Sequence, residues 1–273
     1  MPPRATKPIL RWEGGHAREL SDELAEEEPL EIRVRGRAIS VTMRTGGHDP
    51  ELAAGFLLSE QVIRRRADIL HIEPCQRNEY GNIINVRLAP EVVVDFERLT
   101  RHVLAASSCG LCGKATIEAI QSRMEPITGE GSPLVDPAVI ATLPQKMRET
   151  QIEFDRTGGL HAAAIFDAAG NLLVLREDVG RHNAVDKVLG FALLNDLLPL
   201  ERHVLLVSGR TSFEIMQKSL SARLAIVAGV SAPSSLAVQF AIANGQTLIG
   251  FLRGDRMNIY AGAQRLGLRG LGQ

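Results

Sequence analysis

The chain has 273 residues, 45% of them hydrophobic and 23% charged, with a formal net charge of -1. That length allows one large domain or two modest ones, and the near-neutral balance gives no whole-chain reason to expect nucleic acid or an acidic membrane surface, so any anion site is local. No apolar run approaches the roughly 20 residues that span a bilayer, and Met1 to Pro8 has charge but no apolar stretch behind it, so the expectation is a cytoplasmic protein without a signal peptide.

Residues 1–28 are polar, end in Glu26-Glu27-Glu28, and read as a mobile tail. Glu31 to Val34 and Ala38 to Met43 alternate on either side of a Gly36 turn, which predicts a strand pair. Asp49 is expected to cap a helix that has Pro50 at its first position and runs to about Val62. Strands follow at 69–74 and 83–88, then a helix at 96–106, the cysteine-bearing loop, and a helix from Lys114 to Met124. The Gly-, Pro- and Ser-rich stretch Glu125 to Pro137 marks a domain boundary. The expected division is a tail (1–28), an N-terminal α+β domain (29–134) and a C-terminal α/β domain (135–273).

Asp136-Pro137 opens a helix to about Thr150. Strands at 161–166 and 172–175 flank the Ala169-Gly170-Asn171 turn. A helix from Arg181 to Asn195 puts Val185, Val188, Leu189 and Ala192 on one face. Then come strand 203–207, helix 211–223, strand 224–229, helix 234–243 and strand 247–252, with Gly245 suited to end the last helix. This alternation predicts an α/β layer fold with a largely parallel sheet.

Of three cysteines, Cys109 and Cys112 form a C-x-x-C pair within Ser107-Ser108-Cys109-Gly110-Leu111-Cys112-Gly113. A thiol must lose its proton to attack or to bind metal. The amides and dipole of the predicted following helix favour the anion, as does Lys114. Gly110 and Gly113 let the loop approach another molecule. Persulfide carriage, dithiol–disulfide exchange and structural zinc all fit such a pair. Zinc needs about four ligands, and only Cys75 and scattered histidines could complete the set. Cys75 reads as a small buried residue.

Three loops after predicted strands combine Gly with Arg: Asp178-Val179-Gly180-Arg181-His182-Asn183, Ser208-Gly209-Arg210-Thr211-Ser212, and Phe251-Leu252-Arg253-Gly254-Asp255-Arg256. Thr211 and Glu214 fit a capping box. Ligands of open α/β sheets bind beyond the carboxyl ends of strands, where helix N-termini and arginine forks suit phosphate. None of the loops matches a P-loop or dinucleotide fingerprint. Zinc deaminases pair H-x-E with P-C-x-x-C. Here His71-Ile72-Glu73 precedes the cysteine pair, but Ser108 replaces the proline. The turn Gly158-Gly159-Leu160-His161-Ala162-Ala163 looks like the deaminase histidine turn with Ala163 where the glutamate belongs. Without that carboxylate deamination fails.

Four runs, SSCGLCGK (107–114), REDVGRHNAVDK (176–187), VSGRTSF (207–213) and FLRGDRMN (251–258), together resemble the formate dehydrogenase accessory sulfurtransferases, FdhD. The resemblance spans roughly residues 30–263. It implies a cytidine-deaminase-like mixed sheet with flanking helices, plus a smaller N-terminal α+β domain. It also implies a sulfur carrier that takes persulfide sulfur from a cysteine desulfurase. The acceptor is molybdenum or tungsten in a bis(molybdopterin guanine dinucleotide) cofactor, bound as substrate and destined for formate dehydrogenase. No permanently bound cofactor or resident metal is expected, and a homodimer is. The persulfide cysteine maps to Cys109, with Cys112 assisting or shielding it. Guanine dinucleotide contacts map to Phe251, Leu252, Arg253, Gly254, Asp255 and Arg256. Arg181, His182, Ser208, Gly209, Arg210 and Thr211 are further expected contacts, and Lys187 a weaker one. A cofactor-binding chaperone without sulfur chemistry is the alternative.

Overall fold

A computed structural model describes residues 4–75, 80–97, 99, 124–128 and 134–268. The Cys109–Cys112 loop, and nearly all of the helices expected on either side of it, lie outside those residues. Where the sequence reading places a tail, strands β1 (Arg4–Glu13) and β2 (His16–Ala25) form an antiparallel hairpin. Gly14 and Gly15 turn it at φ 59 and 86, the paired positive angles that suit a two-residue hairpin turn.

Strand β3 (Glu28–Val34) pairs antiparallel with β4 (Arg37–Arg44) through a turn at Arg35 and Gly36 (φ 51 and 77). Strands β5 (Ile69–Pro74) and β6 (Ile83–Leu88) complete a four-stranded sheet ordered β4-β3-β6-β5. Alternation along β3 buries Leu30, Ile32 and Val34. Helix α1 (Asp49–Ser59) does not use Asp49 as its cap. His48, in the left-handed region, takes that place, because the Asp49 carboxylate is engaged 2.9 Å from the buried Arg44 guanidinium.

The second unit opens with α2 (Pro137–Thr150), capped by Asp136, whose carboxylate accepts from the Ala138 amide at 2.8 Å. A short helix, α3 (Ile152–Thr157), follows. The six strands β7 (His161–Phe166), β8 (Leu172–Asp178), β9 (Val204–Val207), β10 (Ile226–Gly229), β11 (Thr247–Arg253) and β12 (Arg256–Ala261) form one sheet ordered β12-β11-β10-β9-β7-β8. Only the β9–β10–β11 segment is parallel, and β7, β8 and β12 pair antiparallel, so the sheet is mixed where the alternation predicts it largely parallel. Helices α4 (Arg181–Leu194), α5 (Phe213–Ser221) and α6 (Ser235–Ala243) flank it. The Thr211–Glu214 capping box does not form. Thr211 is bound through its backbone to Ala232 and Ser234, which leaves Ser212 as the residue before α5.

The four-stranded sheet is joined to the second unit through α1 and α4. A Cβ on Gly55 would lie 1.8 Å from the Asp186 carbonyl oxygen, and one on Gly190 would lie 1.8 Å from that of Glu51. The two helices therefore touch backbone to backbone. Polar bonds pin the crossing: Ser59 Oγ donates to Asp186 at 2.7 Å, and Arg176 clamps Glu51 at 2.6 and 2.8 Å. Apolar residues of both units, such as Ile32 and Leu57 with Val188 and Leu206, form one continuous core. Among the described residues no helix is long and apolar enough to cross a membrane.

Candidate functional site at the sheet edge

Strand direction assembles the site. Strands β9, β10 and β11 are parallel, and β8 reaches the same direction through two antiparallel steps, so all four end on one edge. Strand β7 runs the other way and delivers its first residue, His161, to that edge. A cleft of about 720 Å³ opens there, within the range of small-molecule sites. Its sheet side presents His161, Ser208, Val230, Leu252 and Arg253, and its far wall is built from α2, α3 and the turn after α3, including Arg148, Gln151, Phe154 and Leu160.

The first Gly/Arg loop is fixed by buried charge. Asp178, fully buried, accepts from the amides of Gly180 (2.8 Å) and Thr45 (3.2 Å) and from the Asn183 side chain (3.0 Å). Lys187 Nζ lies 2.7 Å from the same carboxylate and also donates to the Thr45 carbonyl at 2.9 Å. Lys187 is only 1% exposed, so it is a structural cation and not an anion contact, which corrects the sequence reading. Arg181 opens α4, and its buried Nε has no hydrogen-bond partner among the described residues. His182 turns toward α5, with Nε2 3.1 Å from Ser212 Oγ and 3.0 Å from the Glu214 carboxylate. That hydrogen bond, against the opposing effect of burial, lowers the Glu214 pKa.

In the second loop, Ser208 Oγ accepts from the Ala162 amide at 2.9 Å. A Cβ on Gly209 would come within 3.2 Å of His161 Nδ1 and 3.7 Å of Arg181 Cδ, so the glycine lets both side chains close on the backbone. Arg210 is exposed, whereas Thr211 is buried, with its hydroxyl unpartnered among the described residues. Burial first, then the charges of Arg181, His182 and Arg210, hold the His161 pKa below its ordinary value. The cations that contribute to this shift also favour an incoming anion at the same edge.

The third run is not a loop after the last strand. It ends β11, turns at Gly254 (φ 56), and starts β12, with Arg253 paired across from Arg256. Phe251, at φ 52, is exposed and Leu252 is buried. Arg253, Gly254, Asp255 and Arg256 form the exposed tip. Arg253 Nε donates to the Val230 carbonyl at 3.3 Å and the residue lines the cleft.

The edge thus brings together His161, Arg181, Ser208, Gly209, Arg210 and Arg253, and leaves Lys187 sealed away. Cys109 and Cys112 lie outside the described residues; Cys75 is half-buried after β5. Among the described residues no three His, Cys, Asp or Glu side chains gather as a metal site. Sequence reasoning missed Gln151 and Phe154, because they sit in and around a helix of six residues, too short for a periodic signal; Arg148 lies in the last turn of α2, a helix the sequence does predict, but nothing in the sequence marks it as facing a cleft.

The sequence profile of the FdhD/NarQ family matches residues 25–267. A protein of Streptomyces coelicolor named sulfur carrier protein FdhD is 50% identical over 268 residues, covering 96% of this chain and 95% of its own length. A protein of Mycobacterium tuberculosis with the same name is 49% identical over 256 residues, covering 89% and 91%. A crystal structure described as a formate dehydrogenase accessory protein, from Desulfotalea psychrophila, superposes with a TM-score of 0.77 at 23% identity, covering 97% of this chain and 100% of that one. That likeness bears on the fold. The matched profile spans the four- and six-stranded sheets and all three Gly/Arg loops, and the chain belongs to the FdhD/NarQ family.

Proposed function

We propose that this chain is a cytoplasmic sulfurtransferase that takes persulfide sulfur from a cysteine desulfurase. It passes that sulfur to the metal of a bis(molybdopterin guanine dinucleotide) cofactor required by formate dehydrogenase. The observation that carries this reading is the 50% identity, over 96% of the chain, to a protein named as a sulfur carrier, joined to the Cys109-Gly110-Leu111-Cys112 run. In the loading step the Cys109 thiolate attacks the outer sulfur of the donor persulfide. The donor's sulfur–sulfur bond breaks, its cysteine leaves as thiolate, and Cys109 holds the persulfide. Cys112 assists or shields that group.

The cofactor is substrate here, and its pyrophosphates suit the cationic cleft. Arg253 lines that cleft and Arg181 carries an unpartnered buried Nε. Arginine donors at strand ends suit diphosphate oxygens. Arg256 and Arg210 add exposed charge at the rim. In our reading the working form is a homodimer.

The test is complementation of a strain lacking this gene, read as formate dehydrogenase activity at equal levels of that enzyme. Wild type is expected to restore activity and Cys109→Ser to restore none. Full activity with Cys109→Ser would overturn sulfur carriage and leave the cofactor-binding chaperone in its place.

A further inference from the structure

The chain's net charge is -1, yet Arg64-Arg65-Arg66 places three cations in a row between α1 and β5. Two adjoining cavities, of about 230 and 310 Å³, share Arg66 as a wall. Arg64, Arg65, Arg66 and Arg223 line the first together with the apolar Leu193, Leu198 and Pro199, and Asp196 is its one carboxylate among the described residues. Pro50, Leu194 and three successive residues of β5, Leu70, His71 and Ile72, line the second. Leu194 ends α4, whose first residue, Arg181, stands at the sheet edge that holds the cleft. At 1.5 Å per residue the groove therefore lies roughly 20 Å from that edge.

Internal pairing accounts for only part of this charge. Arg65 lies 3.1 Å from the Asp68 carboxylate and Arg223 lies 3.0 Å from that of Glu201. Arg66 donates to the Ile69 carbonyl at 2.6 Å, and neither it nor the exposed Arg64 has a carboxylate partner among the described residues. Leu70 is 60% exposed beside them. Strand β5 is the outer strand of its sheet, so its far side carries backbone donors and acceptors that no described strand takes up. Uncompensated arginine, exposed leucine and an open strand edge together suit a polypeptide in extended form. A free anion would use the arginines alone and leave Leu70 and the strand edge bare.

We propose that this groove docks an extended acidic segment of a partner protein. Its carboxylates meet Arg64 and Arg66, and its apolar side chains lie against Leu70 and Leu198. A partner held there leaves the cleft, at the other end of α4, open to its own ligand.

Fluorescence anisotropy on the full chain tests this, with a labelled peptide of alternating glutamate and valine as probe and its lysine–valine counterpart as control. Wild type is expected to bind the first and not the second, more weakly as salt rises. Arg64→Glu and Leu70→Asp each alter an exposed side chain, so the fold is retained. Each is expected to weaken binding about 10-fold, the first because reversal turns an attraction into a repulsion, the second because it adds a like charge and removes the apolar contact. Wild type that binds neither peptide, or both alike, would overturn the proposal. Unchanged affinity in both variants would place the peptide elsewhere and overturn it too. Loss in Arg64→Glu alone would reduce the groove to an anion patch, against the docking of a segment. A dimer that Arg64→Glu splits into monomers, read by light scattering, would give the groove to a second copy of the chain. Duplex DNA that binds wild type more tightly than the acidic peptide, and is lost in Arg64→Glu, would give it to nucleic acid. Either of these last results overturns the acidic partner.

Discussion

Replacing Lys187 with methionine tests the view that this residue is structural scaffolding for the site and not a ligand contact. The substitution keeps the aliphatic stem and removes only the charge and its donors. Asp178, with no exposed surface, would lose its salt-bridge partner at 2.7 Å. The Thr45 and Glu177 carbonyls would lose a donor at 2.9 and 3.4 Å. Breaking a buried pair on one side costs about 3–5 kcal/mol. Asp178 keeps three N–H donors, from Thr45, Gly180 and Asn183, which places the cost near the lower end, about 3 kcal/mol. For a chain of this size each kcal/mol moves the melting temperature by roughly 2–4 °C, so a fall of roughly 6–12 °C is expected. Thermal unfolding followed by circular dichroism reads it. Adding Asp178→Asn should recover part of the loss, because the stranded charge is then gone. A Lys187→Met protein that melts with wild type would refute the buried-pair account and return Lys187 to the list of ligand contacts.

Two further outcomes follow from the charge arrangement. Burial pushes the Glu51 pKa up, but hydrogen bonds from Arg176 and then His48 overcome it and bring it to about 2. A depressed carboxylate contributes stability above its ordinary value of 4.5, and loses it as pH falls toward the folded value. Arg176→Met should therefore lower urea stability by about 1–3 kcal/mol at pH 7, with the gap from wild type closing between pH 4.5 and about 2; a gap that is constant with pH would contradict the pairing. An anion bound among Arg181, Arg210 and His161 should raise the depressed His161 pKa, because it offsets the cations that hold it down. Titrating the His161 ring by NMR with and without inorganic diphosphate checks this, and an unchanged midpoint would place the anion elsewhere.

Elements with a buried face were legible in the sequence. The alternation Glu31 to Val34 falls inside the observed strand Glu28–Val34, and the Asp136-Pro137 helix start gave its helix at the observed bounds. The β1–β2 hairpin was missed because its strands are mostly exposed and show no apolar face, although Gly14-Gly15 between two alternating runs was a readable turn signal. Strand β12 was missed because Gly254-Asp255 read as the end of a strand and not as a two-residue hairpin turn. The gathering of the Gly/Arg loops at strand ends was also readable, since it follows from strand order along the chain. The sealing of Lys187 was not, because a buried cation and an exposed one look alike until a buried carboxylate is placed beside it.

The central claim is that Cys109 carries sulfur, and intact mass spectrometry after incubation with a cysteine desulfurase and cysteine tests it most directly. Wild type and Cys112→Ser are expected to gain the mass of one sulfur that dithiothreitol removes, and Cys109→Ser to gain none. The same reducible gain in Cys109→Ser, or no gain in wild type, would contradict the account.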